Sequence, residues 1–186
     1  MAVLGKTREG TISGEELFHR PDLEPCELVE GRIVPAMPTG YFHGALEARL
    51  SARILGWAET SGRGRVLAGE VGIYIRRAPD TVRAADVLYI SNERYARRGA
   101  SGYLDVAPDL VVEVLSPDDR WSEVMEKLED YFAAGVAVVW VVDPRLQQVF
   151  AYRSLATVEV LAKGQALTAP DLLPGFSLPL VDLFRE

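Results

Sequence analysis

Apolar residues in this chain recur with three rhythms, and each predicts a different element. Val111, Val112, Val114 and Leu115 form a short run that ends in Ser-Pro-Asp-Asp, and "AVVWVVDP" (137–144) forms a second. Continuous β-branched runs with such boundaries predict strands buried on both faces of a sheet. Leu46, Leu50, Ile54 and Trp57 recur at spacings of three and four before Gly62, as do Trp121, Val124, Met125, Leu128, Tyr131 and Phe132 before Gly135. Both predict amphipathic helices with a glycine stop. Strands are expected around Val66 to Ile75 and Asp86 to Ile90, joined by a loop containing "RRAPDT", and in "QQVFAYR" and "TVEVLAK".

Shorter signals fill the remainder. Ser13 with Glu15 and Glu16 predicts a capped helix, and "CELVEGRIVPAMP" predicts a hairpin with a Glu-Gly corner. "SNERYARR" predicts a short helix capped by Ser91 or Asn92. The proline-punctuated tail "LLPGFSLPLVDLF" is expected to pack as a cap. The order of elements predicts one α/β (α+β mixed) domain over 1–186, with a central mixed sheet flanked by helices. Residues 1–35 would form an N-terminal helix and hairpin, and 165–186 a C-terminal cap.

Glu113 interrupts the first apolar run. Burying an unpaired carboxylate costs several kcal/mol, so this one must be protonated, paired or bound to a cation. By strand alternation Glu113 shares a face with Val111 and Leu115, and Asp86 shares one with Leu88 and Ile90. If the two strands are neighbours, two carboxylates meet over one face, and a hard divalent cation such as Mg²⁺ or Mn²⁺ relieves their repulsion. Lys127 lies at the margin of the following helical stripe. Its stem either carries the ammonium to these carboxylates or snorkels to the surface beside Glu123 and Tyr131. Asp80 and Asp109 fit turn and strand-edge roles.

Composition narrows the class. The 186 residues are 48% hydrophobic and 25% charged, which suits one soluble globular domain. The longest apolar run is too short to span a bilayer, and the first ten residues lack the apolar core of a signal peptide. One cysteine, Cys26, excludes an intrachain disulfide and fits a reducing, cytoplasmic setting. The net charge is −7, yet residues 63–98 hold eight arginines and four acids. That window is either a local basic face or a salt-bridged surface. No G-x-S-x-G, C-x-x-C, P-loop or H-E-x-x-H is present, which disfavours serine hydrolases, zinc enzymes and nucleoside triphosphatases.

"AADVLYI", "PDLVVEVLSPDDR" and "EKLEDYFAAGVAVVWVVDP" together resemble the restriction-endonuclease-like PD-(D/E)XK superfamily. Within it they resemble a large bacterial group described as "putative restriction endonucleases". The likeness extends to "ELVEGRIV", the His43 helix and the "LLPGFSLPL" tail. It implies a restriction-endonuclease-like fold and a Mg²⁺- or Mn²⁺-dependent endodeoxyribonuclease. Asp86 and Glu113 would be the metal ligands, Lys127 the catalytic amine, and Glu30 and His43 accessory residues. DNA would be the substrate, its backbone tracked by arginines such as Arg76, Arg77 and Arg83, and a homodimer would supply two sites. Two positions depart from the pattern: Ala85 replaces the motif proline, and Leu115 stands where E-x-K has its lysine. Lys127 must therefore supply the amine from the helix. Two alternatives stay open: an inactive relative used for binding or dimerisation, and a metal-dependent phosphodiesterase acting on something other than DNA.

Overall fold

A computed structural model describes residues 10–23, 25–100 and 102–185; the signal-peptide expectation, which falls on residues 1–9, lies outside them. The chain opens with helix α1 (Gly14–Phe18), whose N-cap Ser13 and Glu16 form a reciprocal capping box. Hairpin β1 (Cys26–Val29) and β2 (Arg32–Pro35) follows. Val29 pairs with Arg32, so Glu30 and Gly31 alone make the turn, both at positive φ (51° and 75°) as a tight primed hairpin turn requires. Helix α2 (Tyr41–Ser61) ends at Gly62, and the long hairpin β3 (Arg65–Arg76) and β4 (Thr81–Ile90) leads into α3 (Asn92–Tyr95). Strand β5 (Leu110–Val114), helix α4 (Trp121–Ala134) and strand β6 (Val138–Asp143) come next. Strands β7 (Gln148–Ser154) and β8 (Thr157–Leu161) extend the sheet, and β9 (Ala166–Leu167), β10 (Leu178–Pro179) and α5 (Leu180–Leu183) form the tail.

The main sheet runs β2-β1-β4-β5-β6-β7-β8, with β3 on the other edge of β4. Only β5 and β6 are parallel, and α4 is their crossover. On one face Leu46, Leu50 and Ile54 of α2 pack against Val87, Val112 and Trp140, and the tail covers Trp140 with Phe176, Leu178 and Leu183. On the other, Val124, Leu128 and Tyr131 of α4 pack against Leu88, Val111, Val139 and Val141. Cover on both faces accounts for the unbroken apolar runs of β5 and β6. Each fully buried leucine here, such as Leu50 or Leu128, contributes about 1.5–3 kcal/mol. Gly135, at φ 97°, reverses the chain after α4 so that β6 returns beside β5. Strand β4 begins at Thr81, five residues before the expected start, and this draws Arg83 into the sheet. Among the described residues no helix is long and apolar enough to cross a membrane.

Candidate active site

The site forms where the sheet splits. Strand β1 meets β4 only at Leu28–Val82, and β5 meets the same strand at Val87–Val112 and beyond. Residues 83–86 of β4 lie between these contacts, and side chains close the gap. The backbone N–H of Ala84 donates to Glu27 Oε1 (2.9 Å), and the Val114 N–H donates to Asp86 Oδ2 (2.6 Å). Buried backbone polar groups need such partners, so the break in the ladder gathers carboxylates.

Glu113 projects from β5 toward α4. Lys127 and Tyr131 stand four residues apart on one face of that helix, and both reach the same carboxylate. Lys127 Nζ donates to Oε2 at 3.0 Å and the Tyr131 hydroxyl to Oε1 at 2.6 Å. Lys127 also lies 3.1 Å from Glu27 Oε1. Burial raises the Glu113 carboxyl to about 7, against the pull of the Lys127 charge and with a push from Asp86. Burial opposes the Lys127 ammonium, but Glu113 and Glu27 more than reverse that and hold it firmly charged. Burial and the neighbouring Glu113 charge push Tyr131 well above its ordinary value, so it remains a donor.

Asp86 faces a second set of groups. His43 Nε2, on α2, is 3.3 Å from Asp86 Oδ2. Burial works against the imidazolium, but the hydrogen bond and charge of Asp86 raise His43 above its ordinary value. His43 Nδ1 is buried and has no partner among the described residues. Glu70 arrives from β3, where a bulge between Ala68 and Val71 leaves Gly69 and Glu70 at φ 90° and 57°. Its carboxyl hydrogen-bonds to Asp86 and is raised to about 7, first by burial and then by the Asp86 charge. Glu47 is raised for the same two reasons.

The structure thus brings Asp86, Glu113 and Lys127 together, with His43 beside Asp86. It also gathers Glu27, Glu47 and Glu70, to which sequence reasoning assigns no role. Glu30 goes elsewhere: it sits in the hairpin turn, its side chain 64% exposed, and pairs with Arg76. Arg83 corrects an expectation. Its side chain is 8% exposed and is held by Glu27 (2.9 Å) and Asp130 (2.7 Å), which leaves little surface for a phosphate. Arg76 shares Glu30 and Asp130, and Arg77 lies over the Tyr74 ring at 3.4 Å. Asp80 and Asp109 are structural. Asp80 accepts from the Gly14 amide, and Asp109 accepts from Ser91 and pairs with Arg94.

The donor chemistry suits a hard cation. Asp86 and Glu113 offer carboxylate oxygens, and Glu47 and Glu70 have pKa values raised above the ordinary carboxylate range, which a positive charge would bring down. Among the described residues no three His, Cys, Asp or Glu side chains close on one point. An ion on Asp86 and Glu113 would therefore complete its shell with water, as Mg²⁺ commonly does. A cleft of about 320 Å³ opens beside Glu113 and Lys127, bounded by Val34, Leu115, Glu123 and Glu126.

Comparison with known proteins agrees with this fold. Residues 15–181 match the model of a family (Uma2) described as "Putative restriction endonuclease". The chain belongs to that family. Among solved structures it is similar to a "putative nuclease" from Anabaena variabilis ATCC 29413, with 26% identity and a TM-score of 0.77 over 93% of this chain and 97% of that one. The fold is restriction-endonuclease-like. No curated protein matches the chain.

Proposed function

We propose that this protein is a Mg²⁺- or Mn²⁺-dependent endonuclease that hydrolyses phosphodiester bonds in DNA. The observation that carries this reading is the 3.0 Å contact between Lys127 and Glu113. It supplies from helix α4 the amine that Leu115 removes from the strand. Asp86 and Glu113 would hold the cation, which would supply Lewis-acid chemistry by lowering the pKa of a bound water and offsetting charge on the phosphate. Lys127, held by Glu113 and Glu27, would orient the attacking water and offset the charge that develops on the phosphoryl oxygens. Tyr131 fixes the Glu113 carboxylate from below, and His43 fixes Asp86 from the α2 side. Cutting both strands calls for two such sites, which a homodimer supplies.

The test is calorimetric titration of Mn²⁺ and Mg²⁺ into the wild type and Glu113→Gln, with both then assayed on supercoiled plasmid. The expected result is cation binding and nicking in the wild type and neither in the variant. A folded wild type that neither binds nor nicks would overturn the proposal.

A further inference from the structure

We infer that Glu27 is a positioning residue that retains the Lys127 ammonium in the cleft when Glu113 is engaged elsewhere, a role that rests on the nuclease reading above. Glu27 is 8% exposed and comes from the N-terminal hairpin, not from the strands that carry Asp86 and Glu113. Three donors fix its carboxylate. Ala84 N–H (2.9 Å) and Lys127 Nζ (3.1 Å) meet Oε1, and Arg83 (2.9 Å) meets Oε2. Arg83 is itself pinned by Asp130 at 2.7 Å. Burial works against ionisation of Glu27, but the Lys127 and Arg83 charges and the Ala84 hydrogen bond outweigh it and hold the carboxyl below its ordinary value.

Lys127 has three protons. Glu113 and Glu27 take two, and the third is left for the cleft into which the side chain is 28% exposed. A cation on Asp86 and Glu113 would draw on the same Glu113 oxygens that hold the lysine. Glu27 is a second carboxylate on the same ammonium, and its partners among the described residues are Ala84, Arg83 and Lys127 and do not include Asp86. It is thus the carboxylate that keeps Lys127 at the reacting phosphate in the loaded site.

The chain has only three lysines, Lys6, Lys127 and Lys163. Acylation by limiting acetic anhydride, read by mass spectrometry, thus follows Lys127 directly, with exposed Lys163 as internal reference. The wild type and Glu27→Gln are compared with and without saturating Mn²⁺. Lys127 of the wild type is expected to stay protected in both conditions. In Glu27→Gln it reacts about five-fold faster relative to Lys163, the factor that loss of one ordinary ion-pair contact produces. Nicking falls in Glu27→Gln and is partly restored in Glu27→Asp.

An unchanged Lys127 rate in Glu27→Gln would overturn the inference and leave Glu27 as an anchor for the hairpin. Release of wild-type Lys127 by Mn²⁺ would overturn it too, and decides the matter even if Glu27→Gln does not fold. Absence of Mn²⁺ binding and nicking in the wild type defeats the nuclease reading instead. The metal-free acylation rates still report whether Glu27 holds the lysine.

Discussion

Lys127 and Glu113 lie fourteen residues apart, on a helix and on a strand, and their charged atoms meet at 3.0 Å. The contact depends on α4 packing over the β5–β6 pair with Leu128 and Tyr131 beneath it.

Replacing Lys127 by methionine keeps the stem and removes the charge. Nicking is expected to fall by about 100-fold or more, the usual contribution of a positioned acid–base group. Cation affinity should hold or rise, because the competing ammonium is gone. Calorimetry and plasmid nicking on the same preparation check both; a loss of cation binding would contradict this account.

Glu113 gives the metal-free protein a pH signature. Its folded carboxyl protonates at about 7, against an ordinary value of 4.5, so the folded state holds an extra proton between these limits. The stability this confers is complete below pH 4.5 and is lost as pH rises through 7, by about 3 kcal/mol. Glu70 acts in the same direction with a smaller effect, because the residue is exposed overall and only its carboxyl end, against Asp86, is partly shielded from water. In EDTA, Glu113→Gln should therefore gain in melting temperature relative to the wild type as pH rises from 5 to 8. A wild-type-to-variant difference that stays flat across that range would rule this out.

Arg83 and Arg77 should behave in opposite ways. Arg83→Met strands Glu27 and Asp130 and is expected to cost about 3–5 kcal/mol in urea unfolding. The salt dependence of DNA binding should not change. Arg77 is exposed, and Arg77→Ala should lower the salt slope by about one with little loss of stability. Equal slopes for wild type and Arg77→Ala would remove Arg77 from the DNA surface.

Tyr131→Phe keeps the buried ring and removes one donor to Glu113. The expected cost is about 1–3 kcal/mol, as for other hydrogen bonds to charged groups. The acid limb of the rate–pH profile should move to higher pH, because the carboxylate loses support. An unmoved acid limb would show that this hydrogen bond does not set the Glu113 acidity.

Much of this was legible because it is local. Gly62 and Gly135 mark helix ends, the Leu46–Leu50–Ile54 stripe marks a buried face, and alternation brings Asp86 near Glu113 once β4 and β5 are neighbours. Lys127 was legible as a helix-margin residue, although its choice between carboxylates and solvent depended on packing. What escaped depends on long-range geometry. Glu27 reads as an ordinary hairpin residue until β1 docks on β4, and its partners Arg83 and Ala84 lie 56 and 57 positions away. Glu70 reads as one more residue of a flat strand, and only the left-handed bulge at Gly69–Glu70 turns its carboxyl toward Asp86. Arg83 reads as part of a basic face until β4 is seen to begin at Thr81, which carries it into the sheet.

Leu115 lines the Glu113 cleft and also a second groove, beside His43 at the start of α2. On the proposed nuclease reading the amine comes from a helix, and this strand position is free to be a greasy partition between the two openings. The same division of labour ties the working state of the protein to the seating of α4. A protein built this way should lose activity on warming before it loses its sheet, with an inactivation midpoint below the unfolding midpoint.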